Sequence, residues 1–134
     1  NEPMPACQLL IYPATRTANF ATQSRQALAS GVTLDKRLID FFNDMYFGGV
    51  DLDLKDPRLC PALAQKLSGA PTAHIITAEY DPLRDEGEEY SQLLSAAGVQ
   101  ATYRCYDGLM HNFILQTAVV SYLCILKSQN KVAA

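Results

Sequence analysis

"AHIITAEYDPLRDEGEEYSQLLSAAGVQATYRCYD", residues 73–107, decides the architecture. Its first six residues form a short continuous apolar run, as in a strand buried on both faces. Tyr90, Leu93, Leu94 and Ala97 then recur at i, i+3, i+4 and i+7, one stripe of a helix that Gly98 terminates. Asp85 followed by Glu88 predicts a capping box, with Glu86, Glu88 and Glu89 near the positive end of the helix dipole. Val99, Ala101, Tyr103 and Cys105 alternate with Gln100, Thr102 and Arg104, the pattern of an outer strand with one wetter face. Strand, helix and strand in this order make a right-handed crossover between parallel strands.

The flanks extend the same pattern. "CQLLIYP" (7–13) predicts another doubly buried strand, closed by Pro13. Residues 14–32 are polar and irregular and read as a surface excursion. Leu34, Leu38, Phe41, Phe42 and Met45 share a helical stripe, with Thr33 able to cap its start, Asp35 in the first turn and Gly48-Gly49 to stop it. Phe41, Phe42 and Tyr90 are expected in the core. Residues 51–61 form a loop whose aspartates lack the glycine and glutamate of a calcium loop, so no metal is expected there. Residues from about 113 to 127 read as a closing helix. The expected class is therefore α/β, with a mainly parallel sheet and flanking helices.

The bulk numbers exclude other classes. A chain of 134 residues that is 49% hydrophobic and 19% charged can bury a core and is globular rather than disordered. A net charge of -3, with no Lys/Arg cluster, argues against a nucleic-acid or anionic-membrane surface. Cys7, Cys60, Cys105 and Cys124 form no CxxC pair and are expected as free thiols. No signal peptide is expected, and the longest apolar run, around 118–126, is too short to span a bilayer. A cytoplasmic setting and no cofactor are the expectations.

The crossover also locates the chemistry. Parallel strands point their carboxyl ends the same way, and open α/β sheets build sites along that edge. Asp81 lies just past the first strand of the crossover and His111 just past the second. A carboxylate there can accept one ring N–H of the histidine and fix its tautomer, leaving the other ring nitrogen to act as a base. His74, which enters a strand, is expected to be structural, and Asp107 to precede Gly108 in a turn. Leu83, Met110 and Phe113 are candidates for the wall of a pocket beside them.

"APTAHIITAEYDPLRDEGEEYSQLLSAAGV" followed by "YRCYDGLMHNF" resembles the C-terminal part of the hormone-sensitive-lipase-like branch of the α/β-hydrolases, carboxylesterases of short acyl esters. "QLLIYPAT" and "DPRLCPALA" resemble the preceding strand and loop of that family. The resemblance implies that Asp81 is the triad acid and His111 the triad base, in the family's chain order Ser…Asp…His. No G-x-S-x-G elbow or H-G-G-type oxyanion loop occurs in the chain. Residues 1–134 are therefore expected to be the C-terminal part of one catalytic domain, inactive alone, with an N-terminal half as partner. A non-catalytic small-molecule-binding member of the fold is the competing reading. A homodimer through the edge strand 99–107 is compatible with either.

Overall fold

The computed structural model describes residues 4–16, 22–48 and 56–116. Its three strands, β1 (Cys7–Ile11), β2 (Thr72–Tyr80) and β3 (Ala101–Met110), lie in the order β1-β2-β3, and β2 pairs in parallel with both neighbours. Helix α3 (Arg84–Ala96) makes the crossover from β2 to β3. Its apolar stripe is the reason: Tyr90 and Leu94 pack with Ile75, Ala73, Val99 and Ala62 in the main core. Ile75 and Leu94 are fully buried, each contributing roughly 1.5–3 kcal/mol of apolar transfer. Gly87 lets the helix approach the sheet, since a Cβ there would sit 2.7 Å from Thr77 Cγ2. A smaller cluster, Ala78, Leu109 and Phe113, lies toward the carboxyl edge with Tyr12, Ile76 and Tyr106 packed on it.

Several expectations need correction. β1 is not buried on both faces: it is an edge of the described sheet, and Leu9 is 59% exposed. The excursion of residues 14–32 is not wholly superficial. It contains the short helix α1 (Gln23–Ala27), and Thr15 and Ser24 are buried. Helix α2 (Lys36–Phe47) begins two residues later than a Thr33 cap implies. Asp35 is the cap, its Oδ1 accepting from Leu38 N at 2.8 Å, and Gly48 ends the helix with φ 58°.

On α2 itself, Leu38, Phe41, Phe42 and Met45 are all exposed, because no described element covers that stripe. Phe41 and Phe42 are thus not core residues, whereas Tyr90 is. The capping box of α3 does not form either. Leu83 occupies the cap position without a side-chain bond, and the Asp85 carboxylate is taken by Ser24 N at 2.6 Å. β3 continues through Asp107 and Gly108 to Met110, so these two residues lie inside the strand rather than in a turn beyond it.

Only a 3₁₀ turn, Phe113–Leu115, represents the closing helix within the described residues; 117–134, including Cys124, lie outside them, as do 51–55. Cys7 and Cys105 are free thiols. Among the described residues no helix is long and apolar enough to cross a membrane.

Candidate active site

The carboxyl ends of β2 and β3 bring Asp81 and His111 into contact. His111 Nδ1 lies 2.9 Å from Asp81 Oδ2. Asp81 is fully buried, whereas the His111 side chain retains 21% of its accessible surface. The two carboxylate oxygens have separate duties. Oδ1 accepts from Leu83 N at 2.8 Å, which closes the turn into α3 and leaves Oδ2 directed at the imidazole. Nδ1 therefore carries the proton of this bond. No hydrogen bond reaches Nε2 among the described residues.

The ring is held from two further sides. Tyr12, just past β1, packs against His111 with the rings tilted and centroids 4.7 Å apart, and meets Phe113 edge-on at 5.6 Å. Its backbone takes φ 39°, a left-handed conformation that a tyrosine adopts only where the surroundings impose it. Thr33 Oγ1 donates to the His111 carbonyl at 3.0 Å, fixing the main chain of the same residue. Leu83 and Phe113 are buried and Met110 is half-buried.

The rest of the D-P-L-R-D-E-G motif holds the Asp81 turn. Pro82 O accepts from Ser24 Oγ at 2.7 Å. Arg84 Nη1 donates to Glu79 O at 3.0 Å. Glu86 lies in the first turn of α3, as expected, and is fully buried there. Its Oε1 accepts from Thr15 N at 2.8 Å and Arg16 N at 3.3 Å, and its Oε2 from Arg25 Nε at 2.8 Å. Burial pushes the Glu86 carboxyl above its ordinary value, while Arg25 and the two amides pull it back. The motif thus ties α3 to the segment after β1, with Asp81 at the junction.

His74 does not enter the site. His74 sits on the exposed face of β2, bonded to Thr102 Oγ1. Among the described residues no group of three or more His, Cys, Asp or Glu side chains could hold a metal ion.

Residues 1–115 match the α/β-hydrolase fold family. The chain belongs to that family. The chain is 44% identical over 114 residues to the carboxylic ester hydrolase LipN of Mycobacterium tuberculosis, an alignment covering 84% of this chain and 30% of the relative. It is 33% identical over 116 residues to an ethyl acetate hydrolase of Pseudomonas putida, covering 87% and 36% respectively. Among solved structures, it superposes on a serine-to-alanine mutant of an α/β-hydrolase enzyme from the Lake Arreo metagenome. That match has a TM-score of 0.79 at 43% identity, covering 97% of this chain and 40% of the other. The chain is of the hormone-sensitive-lipase-like branch of the family, and both of these relatives are named as ester hydrolases. It spans about a third of the length of the curated relatives it matches.

Sequence reasoning missed Tyr12, Ser24, Arg25, Glu79 and Thr33 as parts of the site's support. Only Tyr12 had a local signal, the tyrosine–proline step that ends a strand. The others act across long sequence separations that no local pattern reports.

Proposed function

We propose that this chain provides the acid and base of a serine carboxylesterase acting on short acyl esters. Asp81 serves as the acid and His111 as the base. The 2.9 Å bond from His111 Nδ1 to Asp81 Oδ2 carries this reading, and the ester-hydrolysing relatives support it. With Nδ1 committed, Nε2 is the nitrogen that accepts a proton. It takes the proton of a serine hydroxyl as the oxygen attacks the ester carbonyl carbon. It then returns that proton to the departing alcohol oxygen. Water repeats the sequence on the acyl-enzyme and releases the acid. Asp81 stabilises the imidazolium without accepting the proton.

The nucleophile and the oxyanion donors belong, in this proposal, to an N-terminal segment or a separate polypeptide, because the chain contains no G-x-S-x-G. The exposed apolar stripe of α2 is consistent with a surface that such a segment covers. The decisive experiment compares p-nitrophenyl acetate hydrolysis by the protein carrying that segment, with and without His111→Ala, and labels the serine with a phosphonate probe. Enzyme-like turnover abolished by the substitution is expected. Ligand binding without turnover or labelling would favour the non-catalytic alternative. A cytoplasmic setting and a dimer through β3 complete the proposal; cell fractionation and sizing chromatography test them.

A further inference from the structure

The register of β2 and β3 breaks next to the site. Ala78 pairs with Tyr106, but Tyr80 pairs with Met110, so β2 advances two residues while β3 advances four. Asp107 and Gly108 are the surplus. Had the register continued unbroken, Asp81 would face Leu109 and His111 would lie two residues further on, roughly 7 Å along the strand. The bulge instead brings His111 level with Asp81. Past the bulge Leu109 is buried in the cluster of Ala78 and Phe113, on which Ile76 and Tyr106 pack.

One side chain closes this bulge. Glu79 is the residue of β2 between the two pairs, and its Oε2 accepts the amide N–H of Gly108 at 2.6 Å. Gly108 has φ 74°, which turns its N–H out of the regular ladder, so the carboxylate replaces a main-chain acceptor there. The Glu79 carbonyl is engaged in turn by Arg84 at the head of α3. One residue thereby links the bulge before His111 to the turn that follows Asp81.

We infer that Glu79 is a positioning residue for the Asp81–His111 pair, setting the β3 bulge through its hydrogen bond to Gly108. The inference rests on the esterase reading for its kinetic consequence and on geometry alone for its structural one. The carboxylate acts as an acceptor of fixed reach rather than as a charge, which separates the possible substitutions. Glu79→Gln keeps length and an acceptor oxygen; Glu79→Asp keeps charge but falls short by a methylene.

The test uses the protein with its elbow-bearing segment and reads two signals: kcat and KM for p-nitrophenyl acetate, and the downfield proton resonance of His111 Nδ1. Expected for Glu79→Gln is a kcat within about threefold of the unsubstituted protein. Expected for Glu79→Asp and Glu79→Ala is a kcat reduced roughly ten- to hundredfold with KM within about twofold, as for a misplaced catalytic pair. The Nδ1 proton signal should persist in the first variant and broaden or vanish in the other two. Wild-type behaviour of Glu79→Asp, a defect confined to Glu79→Gln, or an unchanged Nδ1 signal in folded Glu79→Ala overturns the inference. The resonance needs no turnover. An inactive unsubstituted protein would defeat the esterase reading, while the Nδ1 signal would still decide the role of Glu79.

Discussion

Replacing Asp81 by asparagine isolates the step on which the proposed chemistry turns. The asparagine matches the aspartate in shape, so the buried site keeps its packing. Its amide oxygen must remain on Leu83 N, the contact Oδ1 makes at 2.8 Å, because the amide nitrogen cannot accept. The NH2 group then faces His111 Nδ1 across 2.9 Å. Two donors cannot share that gap, so the imidazole adopts the opposite tautomer, with its proton on Nε2. That nitrogen can no longer take the serine proton. The expected loss in kcat is on the order of 10⁴, or about 5.5 kcal/mol of barrier. KM should change little, because Asp81 is wholly buried and out of reach of substrate. Initial rates on p-nitrophenyl acetate, with circular dichroism and urea unfolding as folding controls, provide the measurement. A folded Asp81→Asn protein within tenfold of the original kcat would refute the tautomer argument and the triad assignment with it.

Other perturbations test the scaffold. Arg25→Ala leaves the buried Glu86 carboxylate without its charged partner, and denaturant unfolding should register a loss of about 3–5 kcal/mol; a loss below about 1 kcal/mol would contradict the buried pair. Gly87→Ala places a methyl 2.7 Å from Thr77 Cγ2, so thermal unfolding should show roughly 1–3 kcal/mol of overpacking. Burial pushes the Tyr103 phenol from 10.0 up to about 12, its hydroxyl being 2.8 Å from Thr77 Oγ1. Folding thus suppresses its ionisation: stability holds below the ordinary phenol value and falls as pH rises from there toward 12. Tyr103→Phe should flatten that alkaline slope in unfolding curves. The purified 134-residue chain by itself should leave p-nitrophenyl esters at the buffer rate, whereas enzyme-like turnover would place a nucleophile within it.

The crossover was readable because each of its parts has a local cause. A six-residue apolar run, a 3.6-residue stripe and a terminating glycine specify strand, helix and stop with neighbours no more than a few positions apart. Parallel strand direction then put Asp81 and His111 on one edge without further information. Errors arose where the outcome depended on distant residues. The stripe of Leu38, Phe41, Phe42 and Met45 has helical spacing, but whether it is covered depends on what else packs there. Glu86 has the sequence context of a dipole-stabilising glutamate, yet Arg25, 61 positions away, supplies the partner that keeps it inside. Likewise Asp85 suits a cap until Ser24 claims its carboxylate.

The amino-acid order alone determined a parallel α/β unit with an acid and a histidine at a common edge, because periodicity and turn chemistry act through neighbours along the chain. It could not supply the distance between them. That depended on how many residues of β3 match β2 past Ala78, and therefore on a bulge of two residues closed by Glu79. Strand register is a pairing between segments remote in sequence, and only the assembled sheet decides it.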